Sequence, residues 1–126
     1  MSACTFFGHR ECYSLDEQVL MDAIENLIRH GVDTFYVGNQ GQFDSTVYAC
    51  LKQLRNRHPH IRVCVVLAYL PTEKNEYDDP ADTMYPEIEG HPKFAIERRN
   101  HWMIDHSDCL LCYINHTWGG AWHTIL

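Results

Sequence analysis

The segment ERRNHWMIDHSDCLLC, residues 97–112, brings Arg98, Arg99, His101, Asp105, His106, Asp108, Cys109 and Cys112 into close succession. Three chemistries use such residues: a zinc site of thiolate and imidazole, a Cys-x-x-Cys redox pair, and a ligand pocket with an arginine at its edge. Spacing separates them. The run DCLLCYI has the apolar character of a buried strand, where side chains three apart face opposite sides, so Cys109 and Cys112 do not converge on one ion. A reactive dithiol is favoured at a helix N-terminus, which lowers a thiol pKa, and this pair sits in a strand instead. No metal site and no redox cofactor are expected. What remains is Arg99 with Asn100, on a helix from Phe94 to about His106 that brings them toward a ligand or toward a structural acid. Arg98 lies about 100° further round that helix and is expected to be exposed.

The elements that must position these residues alternate. ACTFFG forms a first strand, and a helix follows from Ser14 to Gly31, with Ser14 as cap, Glu17 as its capping-box partner and Gly31 as its stop. Apolar residues recur there at Leu20, Ile24, Leu27 and Ile28. DTFYVG is a second strand. Asp44 or Ser45 then caps a helix to about Arg57, and the apolar run IRVCVVLAYL suits a strand buried on both faces. Residues 71–92, with four prolines and an acidic excess, interrupt the rhythm as a surface loop, either solvated or serving as a lid or partner contact. DCLLCYI is the fourth strand and NHTWGG its exit loop. Short strands separated by helix-length segments predict an α/β fold, a three-layer Rossmann-like domain with a mostly parallel central sheet.

In such a sheet, ligands bind beyond the carboxyl ends of the strands. The first strand exits into Gly8, His9 and Arg10, the second into Gly38, Asn39, Gln40, Gly41 and Asp44, and the fourth into Asn115 to Gly120. Glycine-bearing loops therefore share one edge, where backbone amides could approach a phosphate and Arg10 could make a bidentate contact. His9 could donate to a phosphate, act as a base, or merely hydrogen-bond in its turn. Asn39 and Gln40 suit a ribose or base as well as a turn. Trp118 and Trp122 flank Gly119 and Gly120, placed for base stacking or for packing a last helix. The chain contains no GxGxxG or Walker motif, so ordinary dinucleotide or ATP binding has no support in it.

The segments TFFGHR, VGNQGQFD, FAIERRNHWMIDHSDCLLCYI and GGA together resemble the SLOG superfamily, which includes the cytokinin-activating LOG proteins and the DprA family. The similarity extends over nearly the whole chain, residues 1–126, and is closest to small bacterial SLOG proteins with GHR and RNxWM signatures. It implies binding of a nucleotide or nucleotide-derived ligand, phosphoribosyl or ADP-ribose-like, at Gly8, His9, Arg10, Gly38, Asn39, Gln40, Gly41, Asp44, Arg99, Asn100, Gly119 and Gly120. LOG enzymes cleave the N-glycosidic bond of a nucleoside monophosphate. Their pattern aligns without a gap from Arg99 to Leu111, with Met103 and Ser107-Asp108 in register. After Gly119-Gly120, AWHTIL stands where LOG proteins have GTxxE, so their glutamate has no counterpart. Glycoside cleavage requires a carboxylate beside the anomeric carbon, and the candidates for it here are Asp44, Glu87 and Glu89.

At 126 residues and 45% hydrophobic content the chain supports one core, and a net charge of −7 argues against general nucleic-acid binding. The first residues have neither a signal-peptide core nor a membrane span, and cysteines such as Cys64 in RVCVVLAYL behave as buried apolar residues. A cytoplasmic protein with reduced thiols is expected. The end at AWHTIL leaves two readings: a chain cut short, or a short last helix whose apolar side (Ala121, Trp122, Ile125, Leu126) needs another surface, as in a homodimer or larger homo-oligomer. Three functions follow in order: a nucleotide-ligand sensor or sequestering protein with no cofactor, an N-glycosidic hydrolase, and a protein-interaction module.

Overall fold

A computed structural model describes residues 2–8, 16–39, 41–69, 80–86, 90 and 92–113. Strands β1 (Ser2–Gly8), β2 (Val32–Val37), β3 (Arg62–Val66), β4 (Thr83–Met84) and β5 (Cys109–Tyr113) form one sheet in the order β4-β3-β2-β1-β5. Every pairing is parallel. Helices α1 (Glu17–Arg29), α2 (Gln42–Arg57) and α3 (Ala95–Asp105) make up the outer layers.

Strand alternation assigns the layers. Cys4 and Phe6 of β1, Phe35 and Val37 of β2, and Val63 and Val65 of β3 meet Leu20, Ile24 and Ile28 of α1 and Phe43, Val47, Leu51 and Leu54 of α2 in the main core. Their alternates, Phe7 and Val66 with Tyr36 and Met84, meet Met103 and Trp102 of α3 on the other face. The three-layer α/β architecture is therefore present.

Local details differ from the sequence expectation. Helix α1 starts at Glu17, capped by Asp16, whose Oδ1 accepts from Gln18 N at 2.9 Å and Val19 N at 3.4 Å. The expected cap, Ser14, lies outside the described residues, and Glu17 is the first helical residue rather than a capping-box partner. Gly31 ends α1 with a φ of 101°. Neither Asp44 nor Ser45 caps α2. Its N-cap is Gly41, at a φ of 107° that glycine alone adopts cheaply, and Asp44 lies inside the first turn, where its charge suits the helix dipole.

The expected surface loop 71–92 is partly structural. Pro80–Asp82 makes a 3-10 turn, and Thr83–Met84 adds a strand beside Val65 and Val66. Asp82 is buried, takes both arms of Arg55 (2.7 and 3.1 Å) and accepts from the Tyr48 hydroxyl at 2.8 Å. Arg55 first, then Tyr48, hold its carboxyl below the usual range against an opposing desolvation. A carboxylate whose pKa is depressed on folding stabilises the protein above its unfolded pKa, and that stabilisation is lost as pH falls through the lower folded pKa. Stability in urea is thus expected to drop on the acid side, below about pH 4, and the Arg55→Met variant should show a shallower drop. An identical acid profile in the variant would remove Asp82 from the explanation.

The SD pair has a local role. Asp108 Oδ2 accepts from Ala3 N at 2.9 Å, Asp108 N donates to Ala3 O at 2.8 Å, and Ser107 Oγ donates to Met103 O at 2.7 Å. These bonds lock the end of α3 and the start of β5 onto β1 at the amino edge of the sheet, opposite the edge where ligands are expected.

Candidate functional site

At the carboxyl edge, β1 ends at Gly8, β2 at Val37 just before Gly38, β3 at Val66 and β5 at Tyr113. The chain builds outward from β1 to β2, β3 and β4, then crosses through α3 to place β5 on the other side of β1. Strand order therefore reverses between β1 and β5, which puts the topological switch point, where open α/β sheets take their ligands, at the carboxyl ends of these two strands. The β2–α2 turn stands one strand away, about 4.8 Å to the side.

Of the expected site residues, Gly8, Gly38, Asn39, Gly41, Asp44, Arg99 and Asn100 are described. His9, Arg10, Gln40, Glu87, Glu89, Trp118, Gly119, Gly120 and Trp122 lie outside the described residues. The structure brings Gly38, Asp44, Arg99 and Asn100 together. Arg99 leaves α3 on one face and reaches the end of β2. Its Nη1 donates to Val66 O at 3.0 Å, and its Nε donates to Asn100 Oδ1 at 2.8 Å. Asp44 approaches from α2 on the other face. A Cβ on Gly38 would stand 2.6 Å from Arg99 Nη1 and 2.8 Å from Asp44 Oδ2, so both side chains close over this glycine.

Of the two roles that spacing leaves open for Arg99, ligand contact and pairing with a structural acid, the geometry supplies an acid for the second, Asp44. Arg99 is only 3% exposed and Asn100 is 7% exposed, whereas Asp44 and Asn39 are half-buried. Burial pushes the Arg99 guanidinium down from its ordinary value, and the charge of Asp44 is the main influence pulling it back. Arg99 thus works as an internal strut joining β3, α3 and the β2–α2 turn. Its expected neighbour in solvent, Arg98, is half-buried as well, its guanidinium lying where a Cβ on Gly90 would stand, 2.4 Å from Nη1.

The described glycines of the expected site also have structural reasons. A Cβ on Gly8 would meet the Phe43 ring at 2.4 to 2.6 Å, Gly38 gives room to Arg99 and Asp44, and Gly41 supplies the positive φ. Sequence reasoning misses Phe43. An aromatic two residues after a glycine, at the first turn of a helix, is the only signal that could mark it.

Cys109 and Cys112 do lie on β5 three residues apart, the first half-buried and donating to Ala3 O at 3.6 Å, the second exposed. Burial, then its neighbour Cys109, pushes the Cys4 thiol well above its ordinary pKa, which disfavours the nucleophilic thiolate. Among the described residues, no three histidine, cysteine or acidic side chains gather as metal ligands, and no helix is long and apolar enough to cross a membrane. Neither a protein-family model nor a curated protein matches the chain.

Proposed function

We propose that the protein is a nucleotide-ligand-binding domain of the SLOG type, taking a phosphoribosyl or ADP-ribose-like molecule as a sensor or sequestering protein. The observation that carries this reading is the reversal of strand order between β1 and β5, with the β2–α2 turn beside it. In the sequence GHR directly follows β1, so Arg10 is the cation nearest along the chain to the switch point. The buried position of Arg99 supports a division of labour, in which Arg99 holds the β2–α2 turn and Arg10 meets the anion.

The test is calorimetric titration of the chain with the four ribonucleoside 5′-monophosphates and ADP-ribose, with released base followed by chromatography. Binding without base release is the expected result. Arg10→Ala is expected to weaken binding about tenfold or more, the value of a charged hydrogen bond, without changing the unfolding midpoint. Wild-type affinity in that variant would sink the assignment of Arg10, and base release would move the protein to the hydrolase reading.

A further inference from the structure

We propose that β5 is the surface through which two copies of this chain associate, each strand lying antiparallel to its counterpart with Leu111 on the two-fold axis. The inference stands apart from the nucleotide reading. Among the described residues, β5 has a strand neighbour on one side only, β1, and so forms an edge of the sheet. Leu110 and Cys112 stand in register with Thr5 and Phe7, on the face that α3 covers further along the sheet through Met103 and Trp102. That cover stops short of β5: Leu110 is 45% exposed, and Cys112 is exposed as well.

Edge strands are ordinarily kept from pairing by shortness, a charge or a proline. The opposite edge, β4, has two residues. By contrast β5 has five, CLLCY, with neither charge nor proline among them. What such an edge takes is another strand, and its own copy fits. An antiparallel pair centred on Leu111 sets Cys109 opposite Tyr113 and Leu110 opposite Cys112, so no like charges meet across it. Opposed residues share a face, and the exposed Leu110 and Cys112 of one copy therefore join Cys112 and Leu110 of the other in one apolar cluster. A slip of one residue would bring Leu110 against Leu111, which packs on the main core at the other face, and split that cluster. The pairing is self-complementary and closes on itself, as a two-fold interface requires. It also sends the carboxyl edges of the two sheets in opposite directions.

Small interfaces are weak, so sedimentation equilibrium is run on the full, reduced chain up to about 100 µM, far above a micromolar dissociation constant. A mass of twice the chain is expected at the top of that range. Leu110→Lys sets a charge on the edge and is expected to raise the dissociation constant at least about tenfold, with an unchanged circular dichroism spectrum, because the side chain is already exposed. The two Cys112 residues stand diagonally across the pair, with Cα atoms about 7–8 Å apart, so a short bismaleimide is expected to join them, as peptide mass spectrometry reads directly. A monomer at every concentration overturns the inference, whether residues 114–126 of the same chain or solvent cover β5. A dimer that survives Leu110→Lys, or one with no link between Cys112 residues, has its interface elsewhere and overturns it too. Should Leu110→Lys fail to fold, the mass and the link in the wild-type chain decide.

Discussion

Replacing Arg99 by alanine is expected to lower the free energy of unfolding by about 3 kcal/mol, the cost of removing one member of a buried polar assembly. The side chain is 3% exposed and bonded to Val66 O and Asn100 Oδ1, so its loss strips both acceptors of a donor inside the protein. Asp44 loses the neighbouring positive charge, and the space of the guanidinium is left beside Gly38. Opposing this, the desolvation of a buried cation is relieved, which is why the expected value stays at the lower end for broken buried pairs. Arg99→Lys should recover part of the loss, since an ammonium retains the charge without the planar fork that serves Nε and Nη1 acceptors together. Urea unfolding with an unchanged m-value measures both variants. A loss below about 0.5 kcal/mol, the level of ordinary surface substitutions, would show that the buried network carries no stability. A ligand contact at the surface, the role that sequence alone favours for Arg99, would instead make Arg99→Ala weaken binding and leave the fold intact. The burial of Arg99 favours the loss of stability, and weaker binding with an unchanged free energy of unfolding would restore the ligand role.

Why residues such as Leu20 and Ile24 can be placed from sequence, while the role of Arg99 cannot, follows from the range of the forces involved. The amphipathic repeat of α1, the apolar run of β3 and the strand at Cys109–Tyr113 are local patterns, and the structure contains each nearly where the pattern places it. Caps are decided by single hydrogen bonds, so Asp16 displaces Ser14 by two residues and Gly41 displaces Asp44 by three. Strand β4 has only two residues, too few for any alternation to show, and its position depends on Arg55 and Tyr48 reaching Asp82 from a helix far away in sequence. Sequence does mark Arg99 as a residue of consequence. Its burial arises because α3 crosses the sheet where β2 presents a glycine, a meeting of residues 38, 44, 66 and 99 that no local window contains.

Gly8→Ala is expected to be at least as damaging as Arg99→Ala, at about 3 kcal/mol, the upper part of the range for inserting volume into a packed core. The new Cβ would fall 2.4 Å from Phe43 Cγ and 2.5 and 2.6 Å from its two Cδ atoms, far inside the contact distance of carbon atoms. These atoms sit at the base of a stiff ring, so a change of rotamer at the far end cannot relieve the clash. Phe43 is 1% exposed and belongs to the first turn of α2, so the helix or the end of β1 has to move. Reduced flexibility of the unfolded chain recovers no more than about 1 kcal/mol. Gly38→Ala is expected to cost less, because its nearest neighbours, Arg99 Nη1 and Asp44 Oδ2, are the ends of longer side chains. The decisive measurement is a double-mutant cycle. Phe43→Ala removes Cγ and both Cδ atoms that collide, so Gly8→Ala should cost much less in that background, with a coupling of about 1 kcal/mol or more between the two sites. Additive effects would mean that Gly8 is required for something other than Phe43, and the close approach of a ligand to the end of β1 would then return as its explanation.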